Sequence, residues 1–187
     1  GGQSRANLAA LDVATGLATA WNPSPDGEVA VIRVWGATVY VGGYFWGVGG
    51  QARSQLAALD ASTGLATTWN PEPYRDPEWG SDPPLVQAFA FRGDTVFVAG
   101  AYLVIGGQGR EGLAAVDANT GAVLDWNPNP AGGAPYAYVN GLSLSGDTLY
   151  VGGYFQAIGG QYRLCLAGVD VNTGLATAWD PEPNNEV

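Results

Sequence analysis

The sequence predicts an all-β protein, and three observations carry the prediction. A block of roughly 50 residues returns along the chain, which is the period of stacked β units. Each copy holds short runs rich in β-branched and aromatic residues, bounded by glycine and aspartate, as strands and tight turns require. Each copy also ends on Trp-(Asn/Asp)-Pro-x-Pro, where two prolines without N–H groups stop a ladder. Four antiparallel strands and a stop make one blade of a β-propeller. The expected fold is therefore a complete or open β-propeller with four-stranded antiparallel blades.

The copies are marked by Gly-Gln-x-Arg, with the arginine at Arg5, Arg53, Arg110 and Arg163. The chain opens with half a blade, residues 1–25. Three full blades follow at about 29–73, 86–130 and 139–183. Residues 186–187 repeat the Glu28-Val29 step and read as the start of another first strand. The whole is one repeat domain of about three and a half blades, fewer than the four to eight of a closed ring.

Within a blade, strand a is 29–34, 86–91 or 139–144, and strand b is 38–45, 95–102 or 148–155. Gly36-Ala37, Gly93-Asp94 and Gly146-Asp147 are short enough for hairpin turns between them. Gly42-Gly43 and Gly152-Gly153 leave strand b bare where a neighbouring backbone approaches. Strand c is Leu-Ala-Ala-Leu-Asp or a variant, and strand d is Leu-Ala-Thr-Ala-Trp or a variant. The turn between c and d is Asp-x-x-Thr-Gly. Asp12, Asp60, Asp117 and Asp170 can accept hydrogen bonds from turn N–H groups, and Gly16, Gly64, Gly121 and Gly174 can take positive φ. Trp21, Trp69, Trp126 and Trp179 close the copies.

An open ring exposes strand edges that invite pairing. Either the protein continues beyond both ends, or copies complete each other. The start in mid-repeat at Gly1, without a methionine, is expected of a mature, processed or partial chain.

Composition narrows the partners. The formal net charge is −10, and the seven basic residues are all arginine. Such a surface repels phosphate backbones and offers nothing to anionic membranes. No apolar run approaches the roughly 18 residues of a membrane span. The lone Cys165 reads as a small buried hydrophobe, since a disulfide needs a pair.

The block Tyr40-Val41-Gly42-Gly43-Tyr44-Phe45, followed by Gly50-Gln51-x-Arg53 and Leu56-Ala57-x-x-Asp60, resembles the delta-sixty type of propeller repeat of bacterial surface and secreted proteins. That resemblance covers nearly the whole chain. It implies an extracellular or cell-surface protein with a structural or binding role. Ala10-x-Asp12-x-x-Thr15-Gly16 followed by Trp21 is similar to the tryptophan-docking motif of quinoprotein propellers, with the tryptophan one residue later. The second likeness implies a quinone cofactor in a central channel. The strand a positions expected to face such a channel are apolar or small, apart from Arg33, Gln87 and Asn140.

Binding is expected on the face that carries the b–c and d–a loops, because irregular loops on a regular scaffold gather function. That face should collect Trp46, Tyr74, Trp79, Tyr136, Tyr138 and Tyr162, an aromatic platform suited to a glycan or a protein. Asp76, Glu78 and Asp82 could hold Ca²⁺, although no Asp-x-Asp-x-Asp-Gly pattern occurs. The repeat arginines should bond a neighbouring blade's carbonyls or the c–d aspartate, or form a ring that binds anions. Arg92-Gly93-Asp94 spells the integrin-binding tripeptide, but it occupies an ordinary a–b turn.

Catalysis looks poor. Without His or Lys, and with one Cys, a Ser–His–Asp, Cys–His or zinc arrangement cannot be assembled from this chain. The sequence therefore predicts a non-enzymatic structural module, without a cofactor, that self-associates as an oligomer or filament. The alternative is a glycan- or protein-binding module, and the third reading is a fragment of a quinoprotein-like enzyme.

Overall fold

The computed structural model describes residues 2–75, 85–133 and 136–181. The fold is all-β, with no helix among these residues, and hence none long and apolar enough to cross a membrane. The first sheet region contains β1 (Glu28–Trp35), β2 (Thr38–Tyr44), β3 (Gly47–Val48), β4 (Gln51–Ala52) and β5 (Leu56–Asp60). The second contains β6 (Leu85–Arg92), β7 (Thr95–Ala101), β8 (Val104–Ile105), β9 (Gln108–Gly109) and β10 (Leu113–Asp117). The third contains β11 (Tyr138–Ser145), β12 (Thr148–Tyr154), β13 (Ala157–Ile158), β14 (Gln161–Tyr162) and β15 (Leu166–Asp170).

Each region forms one three-stranded antiparallel sheet with strand b in the middle: β1-β2-β5, β6-β7-β10 and β11-β12-β15. The register repeats. Val39 faces Leu59, Val96 faces Val116, and Leu149 faces Val169. Strand a is bulged at the same place each time, around Ala30, Gln87 and Asn140. The cause is visible at Gly43, where a Cβ would lie 2.2 Å from the Glu28 carbonyl oxygen, so the bulged strand presses onto a bare backbone.

The expected fourth strand is not a strand. Each d segment makes a single bridge to c: Leu11–Ala18, Leu59–Ala66, Val116–Val123 and Val169–Ala176. The ladder stops because the Thr67 hydroxyl accepts the Trp69 N–H at 3.2 Å and bends the chain away, while an arginine takes the Thr67 carbonyl. The b–c loops are more ordered than expected. Each folds into a two-residue hairpin, β3–β4, β8–β9 or β13–β14, around a pair of glycines with positive φ.

The core lies between sheets rather than within one. Tyr40, Leu56, Ala58 and Trp69 of the first sheet region pack on Val86, Phe89, Val96, Val98 and Val116 of the second. Ala88, Phe97, Leu113 and Ala115 of the second pack on Val139, Leu149, Val151 and Val169 of the third. Residues 2–25 supply only Leu8, Ala10 and Trp21, which cover part of Val39, Val41 and Leu59.

Candidate functional site

The outer turn of every repeat is closed by its aspartate. Asp60 Oδ1 accepts the Ser62 hydroxyl (2.6 Å), the Thr63 N–H (2.7 Å), the Thr63 hydroxyl (2.9 Å) and the Ser62 N–H (2.9 Å). These donors, led by the Ser62 hydroxyl, hold the Asp60 carboxyl down to about 2. Asp12 and Asp117 are lowered chiefly by the hydroxyls of Thr15 and Thr120, and Asp170 chiefly by the Thr173 N–H. The following glycines, Gly16, Gly64, Gly121 and Gly174, have φ between 68° and 78°.

The same aspartates receive the preceding repeat through their backbone. Trp21 Nε1 donates to the Asp60 carbonyl at 3.1 Å, Trp69 Nε1 to Asp117 at 2.9 Å, and Trp126 Nε1 to Asp170 at 3.1 Å. Trp69, Trp126 and Trp179 each meet the aromatic of their own strand b edge-on, Tyr40, Phe97 and Tyr150, at 5.0 to 5.2 Å. Trp179 completes the series differently. Its ring is 40% exposed, and its indole N–H has no acceptor among the described residues. Asp12, at the other end, has no tryptophan on its carbonyl among the described residues, whose backbone N–H groups reach it only from Gly16.

The repeat arginines work inside their own repeat, not across to the next and not on the aspartate. Arg5, Arg53, Arg110 and Arg163 each direct Nη2 to a carbonyl of their own d segment, on Thr19 (2.5 Å), Thr67 (2.6 Å), Leu124 (3.1 Å) and Thr177 (3.2 Å). Nη1 takes the carbonyl of the residue just before the arginine. Arg163 also pairs with Asp180 at 3.1 Å. The Nη1 and Nη2 atoms thus stand in for a strand at the sheet edge, while the buried Nε of each of the four arginines has no hydrogen-bond partner among the described residues.

The a–b turns are tied from repeat to repeat. Arg92 forms an ion pair with Asp147 and donates to Asn172 at 2.9 Å. Trp35 donates to the Gly93 carbonyl at 3.3 Å and stacks on Phe91 with centroids 5.4 Å apart. The guanidinium of the Arg-Gly-Asp turn is therefore engaged with the third repeat.

The candidate aromatic face separates into two groups. Trp46, Tyr74 and Tyr162 are 63%, 51% and 71% exposed. Tyr74 pairs with Val104 of the next repeat's short hairpin and borders a cleft of about 510 Å³ with Asn70, Pro71 and Glu72. Trp46 borders a shallower one of about 360 Å³ with Asp26, Val48 and Gln51. Tyr136 is occupied: the buried Arg75 guanidinium hydrogen-bonds its hydroxyl and lies 5.2 Å over its ring. Tyr138 stacks on Tyr154 at 5.5 Å. Trp79 and the calcium candidates Asp76, Glu78 and Asp82 lie outside the described residues. Among the described residues, no three His, Cys, Asp or Glu side chains converge to hold a metal.

Of the channel candidates, Gln87 Oε1 and Asn140 Oδ1 are buried without a partner, and Arg33 donates to the Ile32 carbonyl at the surface. Sequence reasoning missed a repeated left-handed position just before strand c. Asn7, Gln55, Gly112 and Cys165 occupy it, with φ of 52°, 56°, 65° and 60°. Cys165 is buried, as expected of a lone cysteine, but its backbone is not yet that of a strand. Gln55 is 1% exposed, and neither atom of its amide has a partner.

Another opening lies at the N-terminal half repeat. A groove of about 580 Å³ runs between residues 8–21 and the first full sheet, floored by Trp21, Ile32, Val34 and Val39.

No family model and no curated protein matches the chain. Among solved structures it is similar to the computationally designed Ika8 protein, with 16% identity and a TM-score of 0.45. That match covers 94% of this chain and 56% of the designed one, so the chain spans little more than half of that protein's length.

Proposed function

We propose that this chain is a propeller-type repeat module of the delta-sixty kind, extracellular or at the cell surface, whose role is structural and non-enzymatic. It acts by associating end to end with further copies. Each blade of that propeller is three strands plus a d segment held by one bridge and one arginine. The observation that carries the reading is the pair of unmatched groups at the two ends of the series. Three tryptophans dock on the next repeat's aspartate carbonyl, while among the described residues the Trp179 indole and the Asp12 carbonyl each lack the counterpart. A second copy placed by the same rule joins Trp179 to Asp12.

Light scattering over a concentration series tests this on the intact chain. The expected result is a mass that grows with concentration, with association weakened about tenfold to a hundredfold in Trp179→Ala, as for a central aromatic anchor. A monomer at every concentration sinks the reading. The exposure of Trp46, Tyr74 and Tyr162 favours a second reading, a glycan- or protein-binding face. Loss of glycan binding in Trp46→Ala and Tyr162→Ala, with the mass unchanged, would select it.

A further inference from the structure

Residues that serve the fold recur at fixed places in the repeat, as the Trp69 and Asp60 series show. The exposed rings of the loop face do not. Trp46 precedes the first strand of a short hairpin, Tyr74 follows Pro-x-Pro, and Tyr162 lies in the second strand of a hairpin. The corresponding residues in the other repeats are Leu103 and Gln156 for Trp46, Asp26 and Ala131 for Tyr74, and Ala52 and Gly109 for Tyr162. None of the three positions therefore needs an aromatic in order to fold. Yet each of the three short hairpins has one exposed ring beside or within it. Such rings add little to the core, and their gathering at one end of the sheets from unrelated positions fits a ligand rather than the scaffold.

Two of the rings stand in clefts built on one plan. Ser24, Asp26, Trp46 and the β3–β4 hairpin line the first, of about 360 Å³. Glu72, Tyr74 and the β8–β9 hairpin line the second, of about 510 Å³. Ala52 borders the first and Ser54 the second, so the two follow one another along the face. The walls are clamped together. Asp26 N–H donates to the Gly47 carbonyl at 3.0 Å and Tyr74 N–H to the Val104 carbonyl at 2.7 Å, while the Pro23 and Pro71 carbonyls accept the Gly49 and Gly106 N–H groups. Both clefts have the size and the mixed lining of a preformed small-molecule site.

The polar groups narrow the ligand. Trp46 N–H donates to Asp26 Oδ1 at 2.8 Å, which fixes the carboxylate beside the indole and leaves Oδ2 for a ligand's hydroxyl. Glu72 Oε1 accepts the Asn70 amide at 2.8 Å, which leaves Oε2. No arginine is among the described residues that line either cleft, and the chain carries a net charge of −10. A phosphate, a sulfate or a uronate is repelled there, whereas a sugar hydroxyl donates to a carboxylate in a charge-assisted bond.

We propose that the Trp46 and Tyr74 clefts are adjoining subsites for one neutral polysaccharide, with its C–H faces on the two rings and its hydroxyls on Asp26 and Glu72. Tyr162 continues the row into the third repeat. The inference rests on the second reading above, a binding face, and not on end-to-end association.

An array of neutral and acidic oligosaccharides, probed with the full chain, is the first test, and calorimetry with the neutral members that bind is the second. Binding is expected to neutral members and not to uronates. A hexasaccharide should bind at least about tenfold more tightly than the trisaccharide of the same sugar, because it spans both clefts. Trp46→Ala and Tyr74→Ala should each weaken the hexasaccharide about tenfold to a hundredfold, with Trp46→Tyr recovering most of the loss. Asp26→Asn should weaken it about tenfold, by removing the charge that strengthens the hydroxyl bond. Binding of acidic members alone overturns the inference and leaves a glycan-binding face standing. Neutral binding undiminished in both alanine variants overturns the assignment to these clefts. No binding on the array overturns the inference together with the glycan reading. The chain's mass, measured alongside, decides end-to-end association separately.

Discussion

Trp69 and Trp179 stand at the same place in two repeats, and what surrounds them differs in one respect. Both lie edge-on to the tyrosine of their own strand b, at 5.2 Å and 88° for Trp69 and 5.0 Å and 89° for Trp179. Both have an N–H bonded to the threonine two residues earlier. Yet Trp69 is 2% exposed and Trp179 is 40% exposed. Of the two, Trp69 alone docks on another repeat among the described residues, through the Asp117 carbonyl. The pose of the ring is thus set within the repeat, and its burial is supplied by the neighbour. This division is what quasi-one-dimensional repeat proteins lead one to expect, with intrinsic repeat terms and interface terms that separate.

The largest expected effect follows directly. Trp69→Ala removes the anchor of a closed seam and leaves the Asp117 carbonyl with one bond fewer, so it should cost about 3 to 5 kcal/mol in urea unfolding. Trp179→Ala in the monomeric chain should cost only about 1 kcal/mol, the scale of its contact with Tyr150. Equal losses would break the comparison and place the stabilisation inside the repeat.

A middle effect sharpens it. Gly42 sits in the seam, where a Cβ would fall 2.8 Å from Val86 Cβ and Cγ1 and 2.9 Å from Val31 Cγ1. Gly42→Ala must push two packed valines apart and should cost about 1 to 3 kcal/mol. Gly36, in the a–b turn, has open space around its added Cβ and a φ of 59°. Gly36→Ala should cost about 1 kcal/mol, from backbone strain alone. Denaturant midpoints of the two variants check the order.

What the sequence discloses and what it hides fall along the same line. Features closed within a few residues are legible. The Asp-x-x-Thr-Gly turn shows both its carboxylate acceptor and its left-handed glycine, and the hairpin positions follow from Gly-Asp and Gly-Ala. The recurrence of Arg53 and its equivalents is equally plain, but their partner is not. The carbonyl of Thr67 lies 14 residues on, and nothing local says that a guanidinium will stand in for a strand there. The d segment has the composition of a strand, yet that arginine and the Thr67 hydroxyl end its pairing after one bridge. The left-handed position before strand c is hidden for another reason. Asn, Gln, Gly and Cys fill it in turn, and only glycine advertises a positive φ. The aromatic face reads in the sequence as one platform, but Arg75 claims Tyr136 from 61 residues away and Tyr154 claims Tyr138 across the β11–β12 hairpin.

The smallest effect concerns the outer turns, and it separates an interior repeat from the terminal one by charge rather than by packing. Asp60 accepts from two N–H groups and two hydroxyls, whereas Asp12 accepts from the N–H and hydroxyl of Thr15. All of these donors favour the ionised carboxylate, so the folded chain holds Asp60 at about 2 against an unfolded value of about 4. A depressed folded pKa gives stability that is present above the unfolded value and is lost as pH falls through the folded one. Stability should therefore be flat above about pH 4 and decline between about pH 4 and pH 2. Asp60→Asn keeps an acceptor oxygen in the turn but removes the titration, so its acid limb should be shallower than that of the parent chain. Asp12→Asn should flatten the limb less, because fewer donors distinguish its folded state. Urea midpoints measured from pH 5 to pH 2 decide between the two. An acid limb unchanged in Asp60→Asn would mean that the turn carboxylates do not set the acid sensitivity of the fold.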